Sequence, residues 1–107
     1  STTYPRIRQM GRFAVNVLAG DQTHVSGQFA RKGTDKWLGI DWTAAESGNP
    51  VIADTLMWVD CEAWAEYDAG DHWIVVGKVL ELSPEGWHSG EPLLFFKGQY
   101  RQLREIA

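Results

Sequence analysis

Three consecutive hydroxyl side chains near the start of the sequence are placed to bind an anion. They belong to Ser1, Thr2 and Thr3. Pro5 follows two positions later, and hydroxyl residues followed by proline are typical of a helix start. The first N–H groups of a helix have no acceptor within it, and the helix dipole favours negative charge there. The pattern therefore indicates a phosphate site or, as the commoner use of such residues, helix capping.

His72 is the titratable side chain best placed to contact a ligand. It follows Gly70-Asp71 in a turn signal, and functional side chains are often displayed on turns. The alternative is an exposed turn histidine with no role, which is common on protein surfaces. We expect Asp71 to shape the turn through a local hydrogen bond rather than to contact a ligand.

The other reactive side chains predict neither a metal site nor a hydrolytic triad. Cys61 is the one cysteine, so it excludes an internal disulfide; a small buried residue in a reducing cytoplasm is the expected role. His24 and His88 have no partners at the spacing of metal ligands. Ser26 lacks the glycine pattern that surrounds the nucleophile of a hydrolase.

The longest regular stretch, residues 56–82, predicts an antiparallel hairpin. Its first half alternates apolar and polar residues, which is typical of a strand with one buried face. Trp58 and Trp64 fall on the polar face, so either a partner or flat ligand covers them or loops pack over them. Residues 73–80 are apolar on both faces, and we expect this second strand inside a sheet or barrel.

Shorter elements flank the hairpin on both sides. We place their bounds at residues typical of helix starts, at glycines that end an element, and at short apolar runs. Short helices together with an antiparallel sheet predict an α+β or capped-barrel layout. The expected elements are helices over 3–10 and 22–31, strands over 12–18, 51–53 and 93–96, loops over 33–49 and 83–92, and a tail over 99–107.

Length and charge narrow the classes of protein further. The 107 residues suffice for at most one domain, so we expect residues 1–107 to belong to a single one. The net charge of −4, without a basic stripe, argues against a nucleic-acid partner. No apolar run approaches the length of a membrane-spanning helix. The sequence opens on the first predicted helix without Met, so we expect residues to be missing upstream.

Four segments follow one another in an order that is typical of one known family. They are the Phe-x-Val-Asn-Val-Leu strand within 11–18, the Ser-x-x-Phe-Ala segment at 26–30, Gly70-Asp71-His72 with Gly77, and 92–95 with Gly98 and Tyr100. Each motif alone is weak, but together they extend over nearly the whole chain. In this set the sequence resembles the flavin reductase-like proteins, which have an FMN-binding split barrel.

The resemblance implies a fold and a function. The fold is a mainly β, antiparallel Greek-key split β-barrel with short capping helices, whose opening strands precede the segment seen here. The function is that of an NAD(P)H:flavin oxidoreductase, in which NADH or NADPH reduces FMN or FAD. A homodimer would then supply reduced flavin to a partner flavin-dependent monooxygenase. The alternatives are a flavin-binding split-barrel module without turnover and a β-rich interaction domain without cofactor.

The resemblance also assigns roles to residues of this sequence. It places the flavin phosphate at Ser1, Thr2 and Thr3, and it makes His72 the residue that positions the nicotinamide. The segment Phe29-Ala30-Arg31 is expected to contact the flavin and its phosphate, against the alternative of a solvated arginine at a helix end. Tyr100 covers the nicotinamide side or serves packing. No metal is implied.

Overall fold

The computed structural model describes residues 3–106 and is mainly β, with antiparallel pairing throughout, as the sequence predicts. Two short strands, Trp42–Ala44 and Gln99–Arg101, lie where the sequence predicts a loop and a tail. In chain order the elements are α1 (Tyr4–Met10), β1 (Arg12–Val17), α2 (Thr23–Ala30), β2 (Trp42–Ala44), β3 (Pro50–Ile52), β4 (Met57–Ala69), β5 (His72–Leu82), β6 (Leu94–Phe96) and β7 (Gln99–Arg101).

Helix α1 begins and ends where its local sequence predicts. Pro5 occupies the first turn, where its missing N–H costs nothing. Gly11 ends the helix in the left-handed conformation, with a φ of 75°, and its N–H donates to the carbonyl of Ile7 at 2.8 Å. The carbonyl of Thr3 accepts from the N–H groups of Arg6 and Ile7 at the other end.

The central sheet has the strand order β1-β4-β5, and its two longest strands form the predicted hairpin. Gly70 turns the chain with a φ of 77°, and its N–H donates to Oδ1 of Asp68 at 3.0 Å. Asp68, rather than Asp71, is therefore the residue that shapes the turn. Within residues 3–106, β5 pairs with β4 alone, so the expectation that β5 lies inside a sheet is wrong for this part of the chain.

Bulges and a second layer decide which side chains of β4 are buried. The pairing of β4 with β5 shifts register between Asp60 and Cys61 and again between Ala63 and Ala65. Trp58 and Asp60, expected on a polar face, are only 6% and 1% exposed.

Loop packing, one of the two alternatives from the sequence, applies to Trp58 and not to Trp64. The ring of Trp58 meets Trp87 of the 83–92 loop edge-to-face at 6.2 Å, so loop packing explains its position. Trp64 is exposed, and the Lys78 ammonium lies 4.8 Å from the centre of its ring.

The β2–β3 hairpin is attached to the central sheet by polar side chains. Asn16 of β1 accepts from the N–H of Ile52 at 2.9 Å and donates to the carbonyl of Pro50 at 3.2 Å. The two bonds of Asn16 satisfy backbone groups that would otherwise be left unpaired when the two layers meet. A third bond joins two side chains, as Asp60 Oδ1 accepts from Nδ2 of Asn49 at 2.7 Å.

The apolar core is small and centres on α2 rather than on the long hairpin. Val25, Ile40 and Ile52 are buried together, and Phe29 and Trp37 pack against them. The rings of Phe29 and Trp37 meet each other edge-to-face, with their centres 5.0 Å apart. Gln22 directly precedes α2. Its side chain accepts from the N–H of Ala19 and donates to the carbonyl of Ala53, which ties the helix start to β3. Neither helix of the described part is long and apolar enough to cross a membrane.

Candidate functional site

A cavity of about 500 Å³ lies between the first turn of α1 and the turn that joins β4 to β5. This volume falls in the range of small-molecule binding sites. The cavity brings the amino end of α1 and the predicted histidine together, although they are far apart in sequence. Its lining consists of Tyr4, Pro5, Asp71, His72, Trp73 and Val75.

His72 stands at the rim of this cavity and is oriented by its neighbour. Its side chain is 81% exposed, and Nδ1 lies 2.7 Å from Oδ1 of Asp71. A carboxylate can only accept, so Nδ1 carries the proton of this bond. The other ring nitrogen, Nε2, is then an acceptor in the neutral imidazole and a donor when the ring is protonated. The contact gives Asp71 a different role from the predicted one, because it orients the histidine.

The walls of the cavity are aromatic and apolar. Tyr4 and Trp73 supply rings, and Pro5 and Val75 supply aliphatic surface. The guanidinium carbon of Arg8 lies 5.5 Å from the centre of the Trp73 ring, a cation–π contact. A site with aromatic walls and a histidine at its rim can hold a flat ring and offer it one hydrogen bond.

Glu66 of β4 contacts α1 through both carboxylate oxygens. The Tyr4 hydroxyl donates to Oε2, and Arg8 Nη2 lies 2.7 Å from Oε1. The hydrogen bond to Glu66 is the main cause that raises the pKa of the Tyr4 phenol, and burial adds to it.

The predicted phosphate residues fall only partly within the described chain. Thr3 is the N-cap residue of α1 and is exposed, and it directly precedes Tyr4 and Pro5, which line the cavity. Ser1 and Thr2 lie outside the described residues, so their predicted role stays a prediction.

The segment Phe29-Ala30-Arg31 lies at the carboxyl end of α2, apart from the residues that line the His72 cavity. The ammonium of Lys36 donates to the carbonyls of Phe29 and Arg31, at 2.9 and 2.6 Å. The side chain of Phe29 is packed against Trp37. Within residues 3–106, none of these residues belongs to the lining of the His72 cavity.

Tyr100 of β7 contacts α2. Its hydroxyl donates to Oγ of Ser26 at 2.9 Å, and its ring contacts Phe95 at 5.3 Å. Ser26 and Phe29 both line a cavity of about 360 Å³ between α2 and β3. The structure therefore brings Tyr100 to α2, and Tyr100 is absent from the described lining of the His72 cavity.

Sequence reasoning missed Tyr4, Trp73 and Glu66 as parts of the site. Trp73 follows His72 directly, and this adjacency was the signal that could have found it. Nothing local marks Glu66, because its role depends on a helix that lies 62 positions away in the sequence. In the described part of the chain, no group of three or more His, Cys, Asp or Glu side chains is arranged to hold a metal ion.

Comparison with known proteins gives the family. A sequence model of the flavin reductase like domain matches residues 1–104, nearly the whole chain. The chain belongs to the flavin reductase-like family. The predicted resemblance is thereby confirmed, and the mainly β, antiparallel fold is that of the split-barrel members of this family.

Individual members of the family are similar over most of this chain. The reductase subunit HsaB of a flavin-dependent monooxygenase from Mycobacterium tuberculosis is 42% identical over 100 residues, 94% of this chain and 54% of that protein. Nitrilotriacetate monooxygenase component B from Mycobacterium thermoresistibile aligns with a TM-score of 0.90 and 39% identity, over 97% of this chain and 58% of that one.

A third relative was solved with bound ligands. The NADH:FAD oxidoreductase SgcE6 of Streptomyces globisporus, in complex with NAD and FAD fragments, aligns with a TM-score of 0.89 and 30% identity. The alignment covers 100% of this chain and 64% of that one. The chain spans little more than half the length of the curated relatives it matches, 58% and 54% for two of them.

Proposed function

We propose that this chain is part of an NAD(P)H:flavin oxidoreductase and that the cavity beside His72 receives the nicotinamide next to a flavin. The observation that carries the proposal is the shared cavity, which joins the amino end of α1 to the histidine-bearing turn. Family membership supports it independently. The whole protein would supply reduced flavin to a partner flavin-dependent monooxygenase, in keeping with the name of the HsaB relative.

The residues of the cavity fit a flat ring with a polar edge. Tyr4 and Trp73 offer ring faces, while His72 offers a hydrogen-bonding nitrogen at the rim. FMN or FAD is the proposed cofactor, with NADH or NADPH as the reductant, and the relative solved with NAD and FAD fragments supports this pairing. Metal ligands are not needed for such chemistry.

The chain's own residues bind and orient the flavin and nicotinamide rings, and none of them is itself a reactant. When bound, the flavin supplies the ring that accepts a hydride from the nicotinamide. His72, held by Asp71, offers Nε2 to the edge of the nicotinamide and so limits its rotation. The walls formed by Tyr4, Pro5 and Trp73 exclude water from one side of the bound ring.

The remaining site assignments are part of the same proposal. Ser1, Thr2 and Thr3 would hold the flavin phosphate, which the position of Thr3 at the cavity end of α1 supports. The Phe29-Ala30-Arg31 segment and Tyr100 would act from the α2 side, where a second cavity lies.

We also propose a homodimer, residence in the cytoplasm and a single domain that includes residues 1–107. Exposed apolar side chains on β5 support self-association, because such patches mark protein interfaces. They belong to Ile74, Val76, Val79, Leu80 and Leu82. A buried cysteine without a disulfide is typical of a reducing compartment.

The deciding experiment mixes the chain with FMN or FAD and NADH and follows nicotinamide absorbance. We expect flavin-dependent oxidation faster than in flavin and NADH without protein. Flavin titration, read by tryptophan fluorescence, is run in parallel. Flavin binding without oxidation would favour the module without turnover, and absence of both binding and oxidation would overturn the proposal.

A further inference from the structure

We propose that Glu66 is a positioning residue that clamps α1 onto the β4–β5 hairpin and thereby shapes the cavity beside His72. The identity of the ligand rests on the proposed function, whereas the clamp itself rests on contacts within the chain. Glu66 does not line the cavity; it acts through residues that do.

Both oxygens of the Glu66 carboxylate are engaged by one face of α1. Tyr4 and Arg8 are four positions apart, so their side chains lie on the same side of the helix. The Tyr4 hydroxyl donates to one oxygen, and Arg8 Nη2 lies 2.7 Å from the other. Both bonds involve an ionised acceptor, and Arg8 also supplies a charged donor, which makes them shorter and stronger than neutral ones.

The helix depends on such contacts because it has little else to hold it. It has seven residues, none of them buried, and isolated helices of this length are unstable in water. At its carboxyl end, the N–H of Ala63 donates to the carbonyl of Gly11 at 2.9 Å, which ties that end to β4. Through Tyr4, Glu66 also holds the opposite end, which is the end that lines the cavity.

The same carboxylate also reaches the second wall of the cavity. Arg8, held by Glu66, places its guanidinium 5.5 Å from the centre of the Trp73 ring. Glu66 therefore fixes Tyr4 directly and Trp73 through Arg8. Loss of the carboxylate charge is expected to loosen both walls while His72 and Asp71, which are adjacent in the turn, keep their own contact.

The side chains involved are accessible enough that the clamp adds little to global stability. Arg8 is 60% exposed, and exposed ion pairs contribute little to the free energy of unfolding. The expected effect of removing the clamp is therefore local. The urea midpoint of a Glu66→Gln variant should stay close to that of the parent, while the amides of α1 exchange with solvent faster.

The first test is independent of activity. In the alkaline titration of tyrosine absorbance, Tyr4→Phe identifies the contribution of Tyr4. Glu66→Gln should shift that contribution to lower pH, because the acceptor that holds the phenol proton has lost its charge. Glu62→Gln, an exposed position on the same strand, is the matched control and should leave it unchanged. An unshifted Tyr4 titration and unchanged α1 amide exchange in Glu66→Gln would overturn the clamp.

The second test asks whether the clamp serves the ligand site. We expect Glu66→Gln to raise the KM for NADH about tenfold, with a smaller change in kcat, and Glu62→Gln to leave both unchanged. A shifted Tyr4 titration with unchanged KM would refute the positioning role. If the parent chain neither binds nor oxidises NADH, the proposed function fails, and the titration and exchange still decide whether the clamp exists.

Discussion

Two neighbouring carboxylates have different roles at the turn that carries His72. Asp68 accepts from the N–H of Gly70 and shapes the turn, and Asp71 holds Nδ1 of the imidazole. Either aspartate could accept a hydrogen bond that shapes the turn. The sequence interpretation chose Asp71, whereas the structure shows that Asp68 makes this bond. Hydrogen-bond partners two positions apart depend on backbone angles that residue types alone do not specify.

Replacing His72 by Ala should weaken nicotinamide binding more than flavin binding. Loss of one hydrogen bond to the ligand costs about 1.4 kcal/mol, which corresponds to a roughly tenfold higher KM for NADH. His24→Ala, an exposed position on α2, serves as the control. A loss of flavin affinity as large as the loss of NADH affinity would contradict the assigned role.

We expect Cys61 to lower the stability of the protein at alkaline pH. Burial, and next the charge of Asp60, raises the pKa of the Cys61 thiol above its usual 9.0. The folded state therefore holds the proton more tightly than the unfolded state, so this stabilisation is full below pH 9.0 and is lost as pH rises through the folded-state value. In urea unfolding above that pH, Cys61→Ala should show a shallower decline with pH than the parent. Parallel declines would refute the assignment.

The elements differ in what holds them in place. Helix α1 is attached by its ends, the β2–β3 hairpin by polar side chains, and α2 by an apolar cluster. The central hairpin depends on close contact between strands, where Gly77 of β5 lies against Phe13 and Cys61. A glycine in a strand often marks such a close approach.

Gly77→Ala should destabilise the central sheet. The added Cβ would lie 2.8 Å from Phe13 Cζ and 3.1 Å from Cys61 Cβ, and such overpacking costs about 1–3 kcal/mol. The matched control is Gly27→Ala in α2, where an added Cβ meets nothing within 4 Å and alanine is the better helix former by about 1 kcal/mol. The urea midpoint should therefore fall for Gly77→Ala and rise for Gly27→Ala. If both variants changed the urea midpoint equally, close packing at Gly77 would not be what determines the stability of the central sheet.

The molecule as a whole is less compact than its length allows. Its radius of gyration is 15.1 Å, against about 13 Å for a compact domain of this length. Large apolar side chains are exposed along β5, and the buried cluster lies to one side of the long hairpin. A sheet with an apolar edge strand favours association with a second chain.

Self-association should therefore depend on β5. In sedimentation at increasing concentration we expect a monomer–dimer equilibrium, which Ile74→Lys combined with Val76→Lys shifts toward the monomer by placing charges on the exposed strand. Leu38→Lys is the control, because Leu38 is also exposed, at 70%, but lies outside the sheets. If the control dissociates the dimer as well as the β5 variant does, the interface lies elsewhere.

The mainly β class of fold was implied by the resemblance that the motifs carry. The sequence by itself also determined the bounds of α1, the long hairpin and the histidine at its turn. These features follow from local preferences: Pro5 and Gly11 act on the backbone at their own positions, and Gly70 permits the turn. Tertiary structure alone decided that Trp58 and Asp60 are buried and that Glu66 joins α1 to the hairpin. The physical reason is that burial and long-range contact depend on which layer covers a strand face, and alternation along one strand carries no information about its neighbours.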